Sequence, residues 1–122
     1  MEDQPLKVVS TAACLRQIHD FYRPMTIGHV NGVAIKLVRL RGEFVWHRHE
    51  DEDEMFLVLA GTLVMQLRSG DLRLESGEMV VVPRGVEHCP LALDEVHLML
   101  VEPEEIRRTG NATEIPARLR MD

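Results

Sequence analysis

The sequence predicts an all-β fold, a sandwich or small barrel around one core, with a single short helix near the N-terminus. Three observations lead there. From Met25 onward the apolar residues fall in short runs with a period of two. Gly, Pro, Asn and Asp interrupt these runs at regular intervals, and only the stretch before Pro24 carries a helical spacing. With 122 residues, 45% apolar and 28% charged, the chain reads as one globular domain spanning residues 1–122. A domain of this size buries about two-thirds of its unfolded surface and folds without disulfides.

Taken in order, residues 1–9 open polar and turn to Leu6, Val8 and Val9, which suggests a short strand. Leu15, Ile18 and Tyr22 then recur at helical spacing, with Ser10 or Thr11 as N-cap and Pro24 as the stop. This N-terminal strand and helix occupy residues 1–24, and the helix is expected to pack one apolar stripe onto the sheet. The barrel core runs from about 25 to 102. MTIGHV and NGVAIKLVRL are joined by Asn31-Gly32, the dipeptide favoured in two-residue hairpins. Val33, Ile35 and Leu37 share one face of the second run, and Ala34, Lys36 and Val38 the other. GEFVWHRH, MFLVLA, TLVMQL, LRLE and EMVVV follow as further strands. PLAL and VHLMLVE come next, with a break expected at Asp94-Glu95. The polar tail 103–122 has no strand period; capping of the barrel edge, crossing to a partner and partial disorder all remain open for it.

Composition narrows the partners. A net charge of −6 and a pI near 5.5 argue against nucleic acid or an anionic membrane as the main partner. Cys14 and Cys89 are far apart and do not resemble a secreted disulfide framework. MEDQPLKVVS lacks a charged-then-apolar signal region, and no run approaches the ~18 apolar residues of a membrane span. The expected setting is reducing and cytoplasmic.

The chemistry concentrates between Gly42 and Gly61. His47 and His49 sit two apart in an apolar-flanked run, so on an extended strand both imidazoles project to one face. Val45 shares that face, while Phe44, Trp46 and Arg48 are expected to point away. Glu54 shares a face with Phe56 and Val58, and no lysine or arginine on that face neutralises it. A buried Glu54 therefore needs a cation or a proton. His88 follows a second strand and a Pro-Gly turn. Three imidazoles and a carboxylate suit one divalent transition-metal ion per chain, with Zn, Fe, Mn, Ni and Cu all compatible. Solvated surface histidines are the plainer reading of any one of these residues; three on separate segments with a glutamate are harder to explain that way. The run Glu50 to Asp53 reads as a solvated loop, and Cys89 and the methionines as packing. His97 and Met99, one strand face of VHLMLVE, join Phe56 as candidates for a cavity wall. His19 and His29 have no evident partner. Lys36, Arg39 or Arg41 could meet an anionic substrate if any points inward.

These residues resemble the two cupin motifs. In the first, G-x5-H-x-H-x3–4-E-x6-G, His47, His49, Glu54 and Gly61 fit, although four rather than five residues separate Gly42 from His47. In the second, G-x5-P-x-G-x2-H-x3-N, Gly77, Pro83, Gly85 and His88 fit, and Ala92 stands in place of the final Asn. The resemblance covers about Gly42 to Leu93, and it looks most like that to small bacterial single-domain cupins. It implies a double-stranded β-helix (jelly-roll) barrel, with His47, His49, Glu54 and His88 as metal ligands, and a homodimer. It also implies a small-molecule ligand or substrate, with dioxygenase, isomerase and lyase chemistries all compatible. A non-catalytic sensor or metal-binding module, and a cupin using its cavity without metal, are the competing readings. Four ligand-type residues speak against the last.

Overall fold

The computed structural model describes residues 6–120. One helix, α1 (Thr11–Gln17), precedes seven strands: β1 (Met25–Val30), β2 (Val33–Glu43), β3 (Glu54–Ala60), β4 (Leu63–Leu67), β5 (Leu72–Leu74), β6 (Met79–Val82) and β7 (His88–Pro103). All pairings are antiparallel, in the order β1-β2-β7-β3-β6, with β4 bridging β5 and β7. The architecture is the expected jelly-roll barrel with one short helix. Among the described residues, no helix is long and apolar enough to cross a membrane.

The β1–β2 hairpin turns where the sequence places it. Asn31 and Gly32 both have positive φ, 49° and 79°, the left-handed pair that a tight two-residue turn requires. Along β2, Ala34, Lys36, Val38 and Leu40 are buried at alternate positions, so one face looks inward. Val58, Leu63, Met65, Val96 and Leu98 are fully buried and form the centre of the core.

Strand β7 organises the barrel. Its first part pairs with β4 and the end of β2, and its second part lies between β2 and β3. The expected break at Asp94-Glu95 is absent. The strand runs through, and the irregularity appears instead as a register shift between Leu40 and Gly42. Arg39 bridges this region by donating to both Glu95 carboxylate oxygens, at 3.0 and 2.9 Å.

Two N-terminal expectations need correction. Residues 6–10 form no strand: Leu6 and Val8 are exposed and pair with nothing described, so a ladder has no partner to satisfy it. The helix is capped by Ser10, whose hydroxyl accepts from the Ala13 amide, but it ends at Gln17, well before Pro24. Ile18 leaves the helix to enter the core, and Tyr22 turns the chain at φ 64°. The Tyr22 amide and hydroxyl are held by the carbonyls of Arg39 and Arg41. The stripe read as helical is thus buried mainly beyond the helix. The tail folds back on the domain, with Thr109 and Leu119 buried and Arg118 donating to the Glu43 carbonyl. The described part of the tail thus packs against its own domain.

Candidate metal centre

His47, His49, Glu54 and His88 are all buried, and one ligand atom from each lies within 4.8 Å of the others. Different elements bring them together. His47 and His88 are joined backbone to backbone, each amide donating to the other's carbonyl at 3.0 and 2.9 Å. His49 is held by the Gly85 amide, which donates to its carbonyl. Glu54 opens β3 opposite Val82 of β6. The motif spacing works because a bridge, a turn and a strand start converge.

The tail closes this region from outside. Arg48, between the two histidines, donates its amide to Asn111 Oδ1 at 2.8 Å and accepts from the Asn111 amide at 3.2 Å. Gly110 has φ 54°, and a Cβ there would stand 2.4 Å from the Arg48 carbonyl oxygen and 2.9 Å from His47 Cδ2. Only glycine allows so close an approach.

Hydrogen bonding fixes the imidazole tautomers. His47 Nδ1 lies 2.8 Å from the Val45 carbonyl and His88 Nδ1 2.9 Å from the Val86 carbonyl. A carbonyl only accepts, so both Nδ1 atoms carry a proton, and in the neutral ring Nε2 then carries the lone pair. Burial, and next the neighbouring His88, lower the His47 pKa to about 4, so this ring is neutral at physiological pH. His49 Nε2, His88 Nε2 and Glu54 Oε1 are buried with no hydrogen-bond partner. Glu54 stands 3.4 Å from His49 and 3.8 Å from His88. Burial alone would raise its pKa, but the polar side chains of His49, His88 and Glu102 close beside it outweigh that and hold it well below the usual range. The donor set and its spacing fit a divalent transition metal with ligand bonds of about 2.0–2.2 Å.

Beside the centre lies a cavity of about 230 Å³, whose walls include Tyr22, Val38, Phe44, Phe56, Leu98 and Leu100. His47 and Glu54 reach it from the centre. Phe44 links several parts, stacked on Tyr22 at 5.4 Å and edge-on to His47 at 5.3 Å. Lys36 points inward and pairs with Glu102 across 3.1 Å, both nearly fully buried. Burial first, then the nearby Glu54, pushes the Glu102 carboxyl up, against the opposing pull of Lys36.

A family model for the cupin domain matches residues 37–103, more than half of the chain. The chain belongs to the cupin family. Among solved structures, a cupin-2 domain protein from Shewanella frigidimarina NCIMB 400 is similar at 40% identity and a TM-score of 0.78, covering 80% of this chain and 95% of that one. Protein NMB1881 from Neisseria meningitidis is 27% identical with a TM-score of 0.73, covering 80% of this cupin and all (100%) of that chain. The uncharacterized protein YdbB of Bacillus subtilis (strain 168) is 28% identical over 83 residues, 67% of this cupin and 74% of its own length.

The remaining site expectations divide. Phe56 lines the cavity of this cupin, but His97 and Met99 do not. The inward residues of β7 are Leu98, Leu100 and Glu102, so His97 and Met99 fall on the opposite face. There His97 Nε2 meets Glu95 at 2.6 Å. Phe44, expected to face away, lines the cavity because residues 44–46 are not a regular strand and need not alternate. Trp46 stays outside under the Arg68 guanidinium, 3.7 Å from the ring centroid. His29 has a partner, Glu104, at 3.0 Å. Asp53 in the acidic run pairs with Arg84. Cys89 is buried, and burial raises its thiol to about 11, so it packs as an unreactive side chain. Sequence reasoning left out Glu102 and Arg108; both line the cavity, and only proximity in the fold marks them.

Proposed function

We propose that this cupin holds one divalent transition-metal ion on His47, His49, Glu54 and His88 and uses it to bind and transform a small molecule in the adjoining cavity. The observation that carries this reading is the convergence of buried polar atoms with no hydrogen-bond partner: His49 Nε2, His88 Nε2 and Glu54 Oε1. Leaving each unsatisfied costs about 1–3 kcal/mol, and a single cation would answer all of them at once.

When bound, the metal would supply Lewis-acid polarisation of a ligand oxygen, with coordination positions left free on an octahedral ion. The chain's own residues supply the rest. The Val45 and Val86 carbonyls hold two rings with Nε2 presented inward, the outer support that keeps metal ligands in one orientation. Phe44, Phe56, Leu98 and Leu100 exclude water from the ligand's apolar part. Dioxygenase, isomerase and lyase chemistry all fit such a site, since fold and ligand set do not choose between them. A non-catalytic sensor would use the same residues and differ only in lacking turnover.

The test is to strip the protein with a chelator, reload it with Zn, Ni, Fe or Mn, and follow small-molecule binding and turnover. Both should require reloading, and His49→Ala should recover neither. Equal binding by stripped and loaded protein contradicts the proposal.

A further inference from the structure

Four charged side chains reach the cavity: Lys36, Glu54, Glu102 and Arg108. Lys36 donates to Glu102 at 3.1 Å, and Glu54 faces the histidines. Arg108 is different. Among the described residues it has no carboxylate partner, and its Nη1 is buried with no hydrogen bond. Its Nη2 donates to the Leu119 carbonyl, which fixes the guanidinium on the folded-back tail. The cation sits over the Phe44 ring, 5.6 Å from its centroid, and the same ring meets His47 edge-on. Phe44 thus connects the arginine to the candidate metal centre along one cavity wall. Arg23, a like charge, stands near enough to oppose Arg108.

We infer that the ligand of this cavity is a small organic acid whose carboxylate is taken by Arg108 while its apolar body lies along Phe44 and Leu98. This rests on the proposed function only in taking the cavity as the ligand site. A neutral carbonyl would accept a hydrogen bond from the guanidinium but leave its charge uncompensated. A carboxylate fits the planar fork of a guanidinium and forms charge-assisted hydrogen bonds with it. Arg108 is the cavity cation that no carboxylate of the described residues faces, and an anion is what it attracts within low-dielectric walls. The cavity, about 230 Å³, is below the ~300–1,000 Å³ of sites for drug-sized ligands, which points to an acid of metabolite size. The apolar wall favours one with a hydrocarbon or ring portion.

The experiment titrates benzoate and isovalerate, each beside its amide, into wild type, Arg108→Gln and Arg108→Lys, with metal content measured on every sample. The acids should bind wild type more tightly than the amides. Arg108→Gln should weaken the acids by about tenfold or more and leave the amides unchanged, and Arg108→Lys should retain part of the preference. Absence of acid binding to wild type, or acids and amides binding alike, overturns the inference. So does an equal loss of both in Arg108→Gln, which would make Arg108 a tail anchor only. Acid binding insensitive to Arg108 but abolished by chelation would place the carboxylate on the metal and also overturn it. An Arg108-dependent preference in protein that holds no metal would uphold this inference while the metal reading fails, so the two are judged separately.

Discussion

Replacing Gly110 by alanine tests whether the tail clamps the metal-binding segment. The position has φ 54°, and the added methyl would stand 2.4 Å from the Arg48 carbonyl oxygen, 2.9 Å from His47 Cδ2 and 3.0 Å from the Arg48 carbonyl carbon. Left-handed backbone in a residue with a Cβ costs about 1–2 kcal/mol. Forcing a methyl into backbone atoms adds about 1–3 kcal/mol, so the total is roughly 2–5 kcal/mol. At about 4 °C per kcal/mol for a domain of this size, the melting temperature should fall by roughly 8–20 °C. Gly32→Ala is the control. Its φ of 79° carries the same backbone strain, but nothing lies within 4 Å of the new Cβ, so the difference between the variants isolates the steric part. Because the clash falls on His47 and its neighbour, metal affinity should also drop by about 10–100-fold, as for other outer supports of metal ligands. Calorimetric melting with and without metal, and competition titration against a chelator, read the two effects. If Gly110→Ala melts with Gly32→Ala and binds metal like wild type, the tail is not a clamp.

Two further outcomes follow from buried or bridging charges. Lys36→Met leaves the buried Glu102 carboxyl without its hydrogen-bond donor and should cost about 1–3 kcal/mol in urea unfolding, whereas Lys36→Met with Glu102→Leu should recover most of that loss; a double variant as unstable as the summed singles contradicts the pairing. Arg39, and next His97, hold the Glu95 carboxyl at about 2 instead of its ordinary 4.5. A folded value below the unfolded one means the bridge stabilises above pH 4.5 and its contribution fades as pH falls toward 2. Glu95→Gln should therefore melt below wild type at neutral pH, and the gap should close between those values; a gap that stays constant with pH refutes the assignment.

The candidate centre was legible because its signal is local. A two-residue spacing aligns His47 with His49, and glycine and proline mark the turns that bring Glu54 and His88 to them. The β1–β2 hairpin was legible for the same reason, from Asn31-Gly32. What sequence reasoning missed depends on pairings across long separations. Lys36 turns inward because Glu102 of β7 receives it, and no local pattern encodes that match. Alternation alone does not say which face of β7 meets the cavity; the register sets Leu98 and Leu100 inward and His97 and Met99 outward. Phe44 escaped the alternation because its segment is joined to the sheet by a bridge and isolated hydrogen bonds, not by a regular ladder. Arg108 was invisible because the polar tail has no period, and its position follows from Asn111, Leu119 and Gly110 docking one by one.

Elemental analysis shows whether the four side chains share one ion. Wild type and His47→Ala/His49→Ala, both shown folded by circular dichroism, would be stripped, exposed to Zn, Fe, Mn, Ni or Cu, and freed of excess. Wild type should hold about one metal per chain and the variant none. Equal content in the two proteins, or none in wild type with every metal, would contradict a shared ion.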